Sequence, residues 1–188
     1  MNNKIGNPAV VGLAGFGLTT LLLQFQNLGW VAPGPIVAMA FAFGGIAQMI
    51  AGFNEQKVGN NFGYTAFVSY GAFWVGFGII LILNHFDIYA SSTTDVGYYL
   101  VAWTLYTAIL LVASLWVHKA MTVTFALLFA GFVLLDLEHF GYPQLKTPAA
   151  ITLIFCAFSA WYMMAAILIN DLSGRILLPL GKSFASKQ

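Results

Sequence analysis

The amino-acid sequence predicts an all-α membrane protein whose six transmembrane helices pair as three hairpins. Hydrophobic residues make up 60% of the chain and charged residues only 7%, whereas about 25% of residues in soluble domains are charged. The mean hydropathy is +0.85, and the apolar residues fall into six segments of about the 20 residues that cross a bilayer. Because a chain of 188 residues leaves little outside these segments, we expect a single transmembrane domain over residues 1–188 embedded in the lipid bilayer.

The predicted spans have recognisable ends. The first starts at Asn7-Pro8, and proline suits a first helical turn because its missing N–H would have no partner there. This span resembles a secretory signal in having Lys4 before an apolar run, but the run reaches Leu23, so we keep it as a membrane span. A short polar turn at residues 54–61 joins the second span to the third. The six spans are predicted at residues 8–28, 32–53, 62–83, 96–117, 121–140 and 148–169.

Lysine and arginine residues predict the orientation of the bundle. On the side of the two termini lie Lys4, Lys57, Lys119, Arg175, Lys182 and Lys187. The opposite side has only Lys146. Since loops on the cytoplasmic side carry the excess of positive charge, we expect a multi-pass protein of the cytoplasmic (inner) membrane with both termini in the cytoplasm.

Composition and motifs argue against several functions. A net charge of +1 gives no reason to expect a nucleic-acid partner. The one cysteine, Cys156, lies in an apolar run, so an intrachain disulfide and a cysteine metal site are excluded. The chain has no G-x-S-x-G, H-E-x-x-H or Walker motif. We therefore predict no enzyme activity, no catalytic residue, no cofactor and no metal.

A weak internal repeat relates the three hairpins. They start near Asn7, Asn61 and Met121, which gives offsets of 54 and 60 residues. Nine residues after each Asn comes an aromatic residue followed by glycine, Phe16 in the first hairpin and Tyr70 in the second. The repeat predicts a pseudo-threefold axis with spans one, three and five inside. Chance similarity among apolar helices is the alternative explanation.

Polar side chains within the spans are candidate solute contacts. These are Asn7, Thr19, Thr20, Gln48, Thr65, Ser69, Tyr70 and Thr124. Such residues also hydrogen-bond across helices or back to their own helix, and that reading stays open for each. Asn7 and Asn61 lie at starts of spans, where asparagine either caps a helix or shapes a vestibule. None of the spans has a charged residue near its midpoint, and Glu55 falls near a span end, so no buried proton site is predicted.

Four sequence blocks carry a family resemblance. They are NPAVVGL at 7–13, GGIAQ at 44–48, AGFNEQKVGNNFGYTAFVSYGAFW at 51–74 and GRILLPLG at 174–181. With these blocks in order over nearly the whole chain, the protein resembles the acetate uptake transporter family, the succinate-acetate permeases. The family motif is NPAPLGL, so Val10 and Val11 replace its second proline and first leucine.

The resemblance implies a six-helix protomer similar to the urea and amide channels, with one central pathway per protomer in a homohexamer. It also implies a hydrophobic constriction at Phe16, Tyr70 and Leu128, with Leu127 as the alternative in the fifth span. The implied solutes are acetate and related small carboxylates, including succinate, whose second carboxylate must cross the same apolar ring. The resemblance also implies that protons take part in transport, through a channel-like or a proton-coupled path.

Three residues at the outer end of the fifth span, Asp136, Glu138 and His139, form a candidate proton rim. Histidine is the side chain whose ordinary pKa lies in the physiological range. A metal site or a plainly solvated rim are the other readings of this run. Two further functions stay open besides carboxylate transport: a urea or amide channel on the same hairpin plan, and a membrane sensor that binds acetate without moving it.

Overall fold

The computed structural model describes residues 6–185, and these residues form six helices long and apolar enough to cross a membrane. The helices are α1 (Ala9–Asn27), α2 (Gly34–Lys57), α3 (Asn61–His85), α4 (Thr93–Ser114), α5 (Lys119–His139) and α6 (Lys146–Ser173). No strand occurs within the described residues. The predicted all-α fold class with six spans is confirmed.

The six helices form a closed ring, in which each packs on the next and α6 returns to α1. The weakest backbone approach is between α3 and α4, the two helices of the second predicted hairpin. These two helices meet through large aromatic side chains instead. The Phe73 and Tyr99 rings stack with centroids 5.7 Å apart, and the Tyr99 hydroxyl donates to the Phe73 carbonyl at 2.9 Å.

Small residues set the close approach of α1, α2 and α3. The middle of α2 is a π-helical turn, Ala42–Ala47, that contains Gly44 and Gly45. A Cβ added at Gly44 would lie 2.5 Å from Thr19 Oγ1, and one at Gly71 would collide with Met49 Cγ. Glycines therefore allow backbone contact where lipid gives no hydrophobic drive for helix association.

The helix ends differ from those predicted at several positions. Helix α2 continues to Lys57, so the polar turn predicted at residues 54–61 narrows to residues 58–60. Helix α4 begins earlier than predicted because Ser92 and Asp95 form a capping box: the Asp95 N–H donates to Ser92 Oγ at 3.2 Å and the Ser92 N–H to Asp95 Oδ2 at 2.8 Å.

The segment after α6 returns to the start of α5. Gly174 ends α6 in the left-handed conformation, with φ of 66°. The carbonyls of Leu180 and Lys182 then accept from the N–H groups of Ala120 and Lys119, at 3.0 and 3.2 Å. These bonds satisfy the first two N–H groups of α5, which have no partner inside their own helix.

Candidate functional site

Two cavities lie inside the helix ring, one at each end. The terminal-side cavity, at the end where α1 begins and the chain ends, has a volume of about 830 Å³. The far-side cavity, at the opposite end, has a volume of about 290 Å³. Lys57, Lys119, Arg175 and Lys182 all lie at the terminal end, while Lys146 lines the far-side cavity. Lys4 and Lys187 fall outside the described residues.

Three described residues line both cavities: Phe16, Tyr70 and Leu128. They come from α1, α3 and α5, and all three are buried. The Phe16 and Tyr70 rings meet edge to face with centroids 5.9 Å apart. The three residues that the family resemblance implied thus lie at one level, between the two cavities, and we call them the central ring. Leu127, the alternative, is half-buried and lines neither cavity.

The hydroxyl of Tyr70 is turned toward α4. It lies 2.8 Å from Thr107 Oγ1, and Thr107 in turn donates to the Trp103 carbonyl at 2.6 Å. Since a threonine hydroxyl has one proton to donate, Tyr70 must be the donor to Thr107. The Tyr70 proton is therefore used within the protein, and the ring rather than the hydroxyl group forms the wall of the path.

The cavity walls repeat around a pseudo-threefold axis with offsets of 54 and 58 residues. The same register that relates Phe16, Tyr70 and Leu128 relates seven more sets, and every member lines a cavity. From the terminal side to the far side, the sets are Gly6, Asn60, His118; Ala9, Gly63, Met121; Leu13, Phe67, Phe125; Thr20, Trp74, Phe132; Leu23, Phe77, Leu135; Gln26, Ile80, Glu138; and Asn27, Leu81, His139. The inner helices are α1, α3 and α5, and the offset of 60 inferred from the sequence is two residues too long.

Each inner helix starts with a side chain that caps it from the terminal-side cavity. Asn7 Oδ1 accepts from Ala9 N–H at 2.9 Å, Asn60 Oδ1 from Gly63 N–H at 3.1 Å, and His118 Nδ1 from Met121 N–H at 3.1 Å. Burial lowers the pKa of His118, which favours the neutral ring that this bond requires. The cap of α3 is Asn60, not Asn61, which is exposed and lines neither cavity.

The other polar residues singled out in the sequence divide between the cavities and the helix contacts. Asn7, Gln48 and Thr124 line the terminal-side cavity, and Thr20 lines the far-side cavity. Thr19, Thr65 and Ser69 line neither cavity. Ser69 Oγ donates to backbone carbonyls of its own helix. Thr124 also bonds to its own helix, at the Ala120 carbonyl (2.9 Å), and lies 2.6 Å from Ser159 Oγ.

Next to the central ring, several buried polar atoms have no hydrogen-bond partner among the described residues. On the far side these are Thr20 Oγ1 and Trp74 Nε1. On the terminal side they are both amide atoms of Gln48, whose side chain is fully buried. Unpaired polar atoms are costly in a protein interior, so these atoms are suited to a polar solute. Sequence reasoning missed Trp74, although it lies one helical turn beyond Tyr70.

The three residues of the predicted rim separate in the structure. Glu138 and His139 line the far-side cavity, with Glu138 Oε2 2.6 Å from His139 Nδ1. Asp136 instead packs toward α4, where Thr104 Oγ1 lies 2.7 Å from Asp136 Oδ2. No group of three potential metal-ligating side chains occurs within residues 6–185.

A family model described as the GPR1/FUN34/yaaH family matches residues 1–180. The chain belongs to the GPR1/FUN34/yaaH family. The succinate-acetate/proton symporter SatP of Escherichia coli (strain K12) is 38% identical, over 97% of this chain and 98% of that protein. Acetate permease A of Emericella nidulans is 32% identical, over 94% of this chain and 66% of that protein.

A solved structure of a GPR1/FUN34/yaaH relative shares the fold. The bacterial acetate channel SatP superposes with a TM-score of 0.91 at 37% sequence identity, over 95% of this chain and all of that chain. The resemblance inferred from the four sequence blocks is confirmed. The prediction of a multi-pass membrane protein is also confirmed, and the relatives named above are transporters and a channel.

This family member also carries a buried carboxyl group that the sequence did not suggest. Glu55 is only 2% exposed and lines the terminal-side cavity. Its Oε2 atom accepts from Asn60 Nδ2 at 2.6 Å, while Oε1 has no hydrogen-bond partner within the described residues. The sequence indicated no buried proton site because Glu55 lies near a span end. The Glu55 side chain is nevertheless buried, because the extended end of α2 packs against α3.

Proposed function

We propose that this protein carries acetate and related small carboxylates across the membrane, through the central ring of Phe16, Tyr70 and Leu128. The observation that carries the proposal is that the side chains of these three residues separate two cavities that lie at opposite ends of the helix ring. The 37% identical acetate channel with the same fold supports the choice of solute. The central ring acts as the constriction, and Asn7, Gln48, Thr20 and Thr124 belong to the pathway.

Acetate suits the two kinds of surface that line the path. Its methyl group matches the apolar side chains of the ring, and a carboxylate needs hydrogen-bond donors in place of its water. The unpaired Nε2 of Gln48 on one side and the unpaired groups of Thr20 and Trp74 on the other provide donors beside the ring. A solute can therefore exchange water for protein donors immediately before and after the constriction. Succinate must bring a second carboxylate through the same ring, so we place it second.

Three further features belong to the proposal. Both termini lie in the cytoplasm of an inner membrane protein, supported by the excess of lysine and arginine at the terminal end. The protein works as a homohexamer with one path in each protomer, an assignment that rests on the family resemblance. Protons take part in transport, a proposal supported by the 38% identity to a succinate-acetate/proton symporter.

The test is uptake of labelled acetate by liposomes that contain the purified protein, with and without a pH gradient and with the membrane voltage clamped. Accumulation above equilibrium, beyond the leak of acetic acid into protein-free liposomes, identifies a proton-coupled carrier. Equilibration without accumulation identifies a channel. No acetate flux would overturn the proposal and favour the acetate sensor, and urea flux without acetate flux would favour the urea or amide channel.

A further inference from the structure

The carboxyl group of Glu55 has few described hydrogen-bond donors and no described cation near it to stabilise a negative charge. Its side chain is buried in the wall of the terminal-side cavity. Asn60 Nδ2 donates to Oε2 at 2.6 Å, whereas the nearby Ala9 N–H donates to Asn7 Oδ1. A buried carboxylate normally has a cation or several donors around it, and Oε1 has neither within the described residues.

Among residues 6–185, no cation lies within ion-pair distance of Glu55. Helix α1 contributes the Ala9 backbone, and the start of α3 contributes Asn60 and Gly63, none of which titrates. On its own helix, Lys57 is exposed and donates to Asn54 Oδ1 at 3.2 Å. His118, before α5, lines the same cavity but forms no ion pair with Glu55 within the described residues, and Asp171 on α6 is itself an acid.

We propose that Glu55 is the group that holds and exchanges the proton accompanying a carboxylate through the terminal-side cavity. The inference rests on the proposed function and deepens it. With a proton on Oε1, the buried Glu55 side chain is neutral and needs no compensating cation. Its O–H group can then donate a hydrogen bond to an anionic solute. Asn60 Nδ2 can donate to Oε2 in both protonation states, because Oε2 remains an acceptor in the acid and in the carboxylate.

The exchange is a single reversible proton transfer. When acetate approaches from the terminal side, the Glu55 Oε1–H bond breaks and an O–H bond forms on an acetate oxygen. The products are acetic acid, which is neutral and can enter the apolar central ring, and a Glu55 carboxylate held by Asn60. A hydronium ion from the solution on the terminal side then returns a proton to Glu55 and becomes water. Acetic acid arriving from the far side runs the same transfer backward and leaves as acetate.

Glu55→Gln tests the exchange because it keeps the shape and the acceptor for Asn60 but cannot release a proton. We expect wild-type protein to transport acetate faster as the pH on the terminal side falls. In E55Q, the increase in rate over the same pH range should be at least tenfold smaller. Asp87→Asn is the matched control, since Asp87 is exposed and its φ of 55° suits asparagine. An E55Q pH profile equal to that of wild type would overturn the inference.

Infrared spectroscopy gives a second reading that does not depend on transport. The chain has two glutamates, Glu55 and Glu138. In a Glu138→Gln variant, glutamate labelled with carbon-13 at its side-chain carboxyl therefore marks Glu55 alone among the carboxyl groups. We expect a protonated carboxyl band from Glu55 that disappears reversibly on raising the pH. A carboxylate band at every pH studied would overturn the inference. If wild-type liposomes take up no acetate, the proposed function fails, while this band still decides whether Glu55 exchanges a proton.

Discussion

Tyr70 and Thr107 are joined by a hydrogen bond of 2.8 Å between their hydroxyl groups, in the plane of the central ring. Thr107 Oγ1 donates its own hydrogen bond to the Trp103 carbonyl on the same helix, so the Tyr70–Thr107 bond is the one that ties α3 to α4 at the level where the two cavities meet. This bond fixes the direction of the Tyr70 side chain. It presents the aromatic ring, and not the hydroxyl, to the space between Phe16 and Leu128.

Tyr70→Phe should therefore keep acetate transport and selectivity, and should lower the free energy of unfolding by only about 1 kcal/mol, the usual worth of a hydrogen bond. Tyr70→Ala and Phe16→Ala should instead widen the ring and admit larger carboxylates such as butyrate. Uptake per amount of folded protein is the measurement, because truncating a large buried ring costs about 3–5 kcal/mol. Equal loss of acetate flux in Y70F and Y70A would show that the hydroxyl serves the solute.

Gly44→Ala should destabilise the protein because the new methyl group would lie 2.5 Å from Thr19 Oγ1. Overpacking of this kind costs about 1–3 kcal/mol, which thermal unfolding in detergent can detect. Gly34→Ala on the same helix is the control, since nothing lies within 4 Å of its added Cβ. Equal melting temperatures for the two variants would contradict the close packing of α1 on α2.

Stability should decrease in acid because of His118. Burial lowers the pKa of the folded state below the ordinary value of 6.5, so the unfolded chain binds the proton first. His118 therefore costs nothing above about pH 6.5 and lowers stability progressively as the pH falls from there toward the folded-state pKa.

His118→Asn should reduce this acid destabilisation, because asparagine also caps helices but does not titrate. The measurement is the melting temperature in detergent between neutral and mildly acidic pH. His85→Asn is the control, as His85 is exposed, and it should follow the wild-type profile. If H118N and wild type lose stability in parallel, another group is responsible.

The far-side rim should act through Glu138 and His139 and not through Asp136. Replacing the first two by Gln and Asn should shift the pH dependence of acetate flux, because both line the far-side cavity. Asp136→Asn should mainly weaken the contact between α4 and α5, where its carboxylate meets Thr104 at 2.7 Å. A pH profile that moves with D136N alone would reverse this assignment.

Much of the architecture follows from sequence because spans are long and apolar, and because Phe16 and Tyr70 occupy matching places in a repeat. The fifth span lacks that aromatic-glycine pair, so the choice between Leu128 and Leu127 needed the structure. There, Leu128 lies seven residues after the capped N–H of Met121, as Phe16 and Tyr70 do after those of Ala9 and Gly63.

Side-chain partners were harder to predict. The position of Glu55 near a span end gave no indication of a buried proton site, yet the packing of α2 on α3 buries its side chain. Thr65 and Ser69 are polar and at helical depth, but they face away from the cavities, because helix rotation is set by glycine contacts such as that of Gly71 with Met49. Sequence periodicity is uninformative where every face of a helix is apolar.

The most direct test of the central ring uses a single thiol. The only cysteine, Cys156, is buried and can be replaced by alanine, after which Leu128→Cys and Leu127→Cys each provide one reactive position. Labelled-acetate flux is measured before and after a small methanethiosulfonate reagent. We predict that modification blocks flux in L128C, that excess acetate slows the block, and that L127C keeps its flux. Full flux through modified L128C would contradict a path through Phe16, Tyr70 and Leu128.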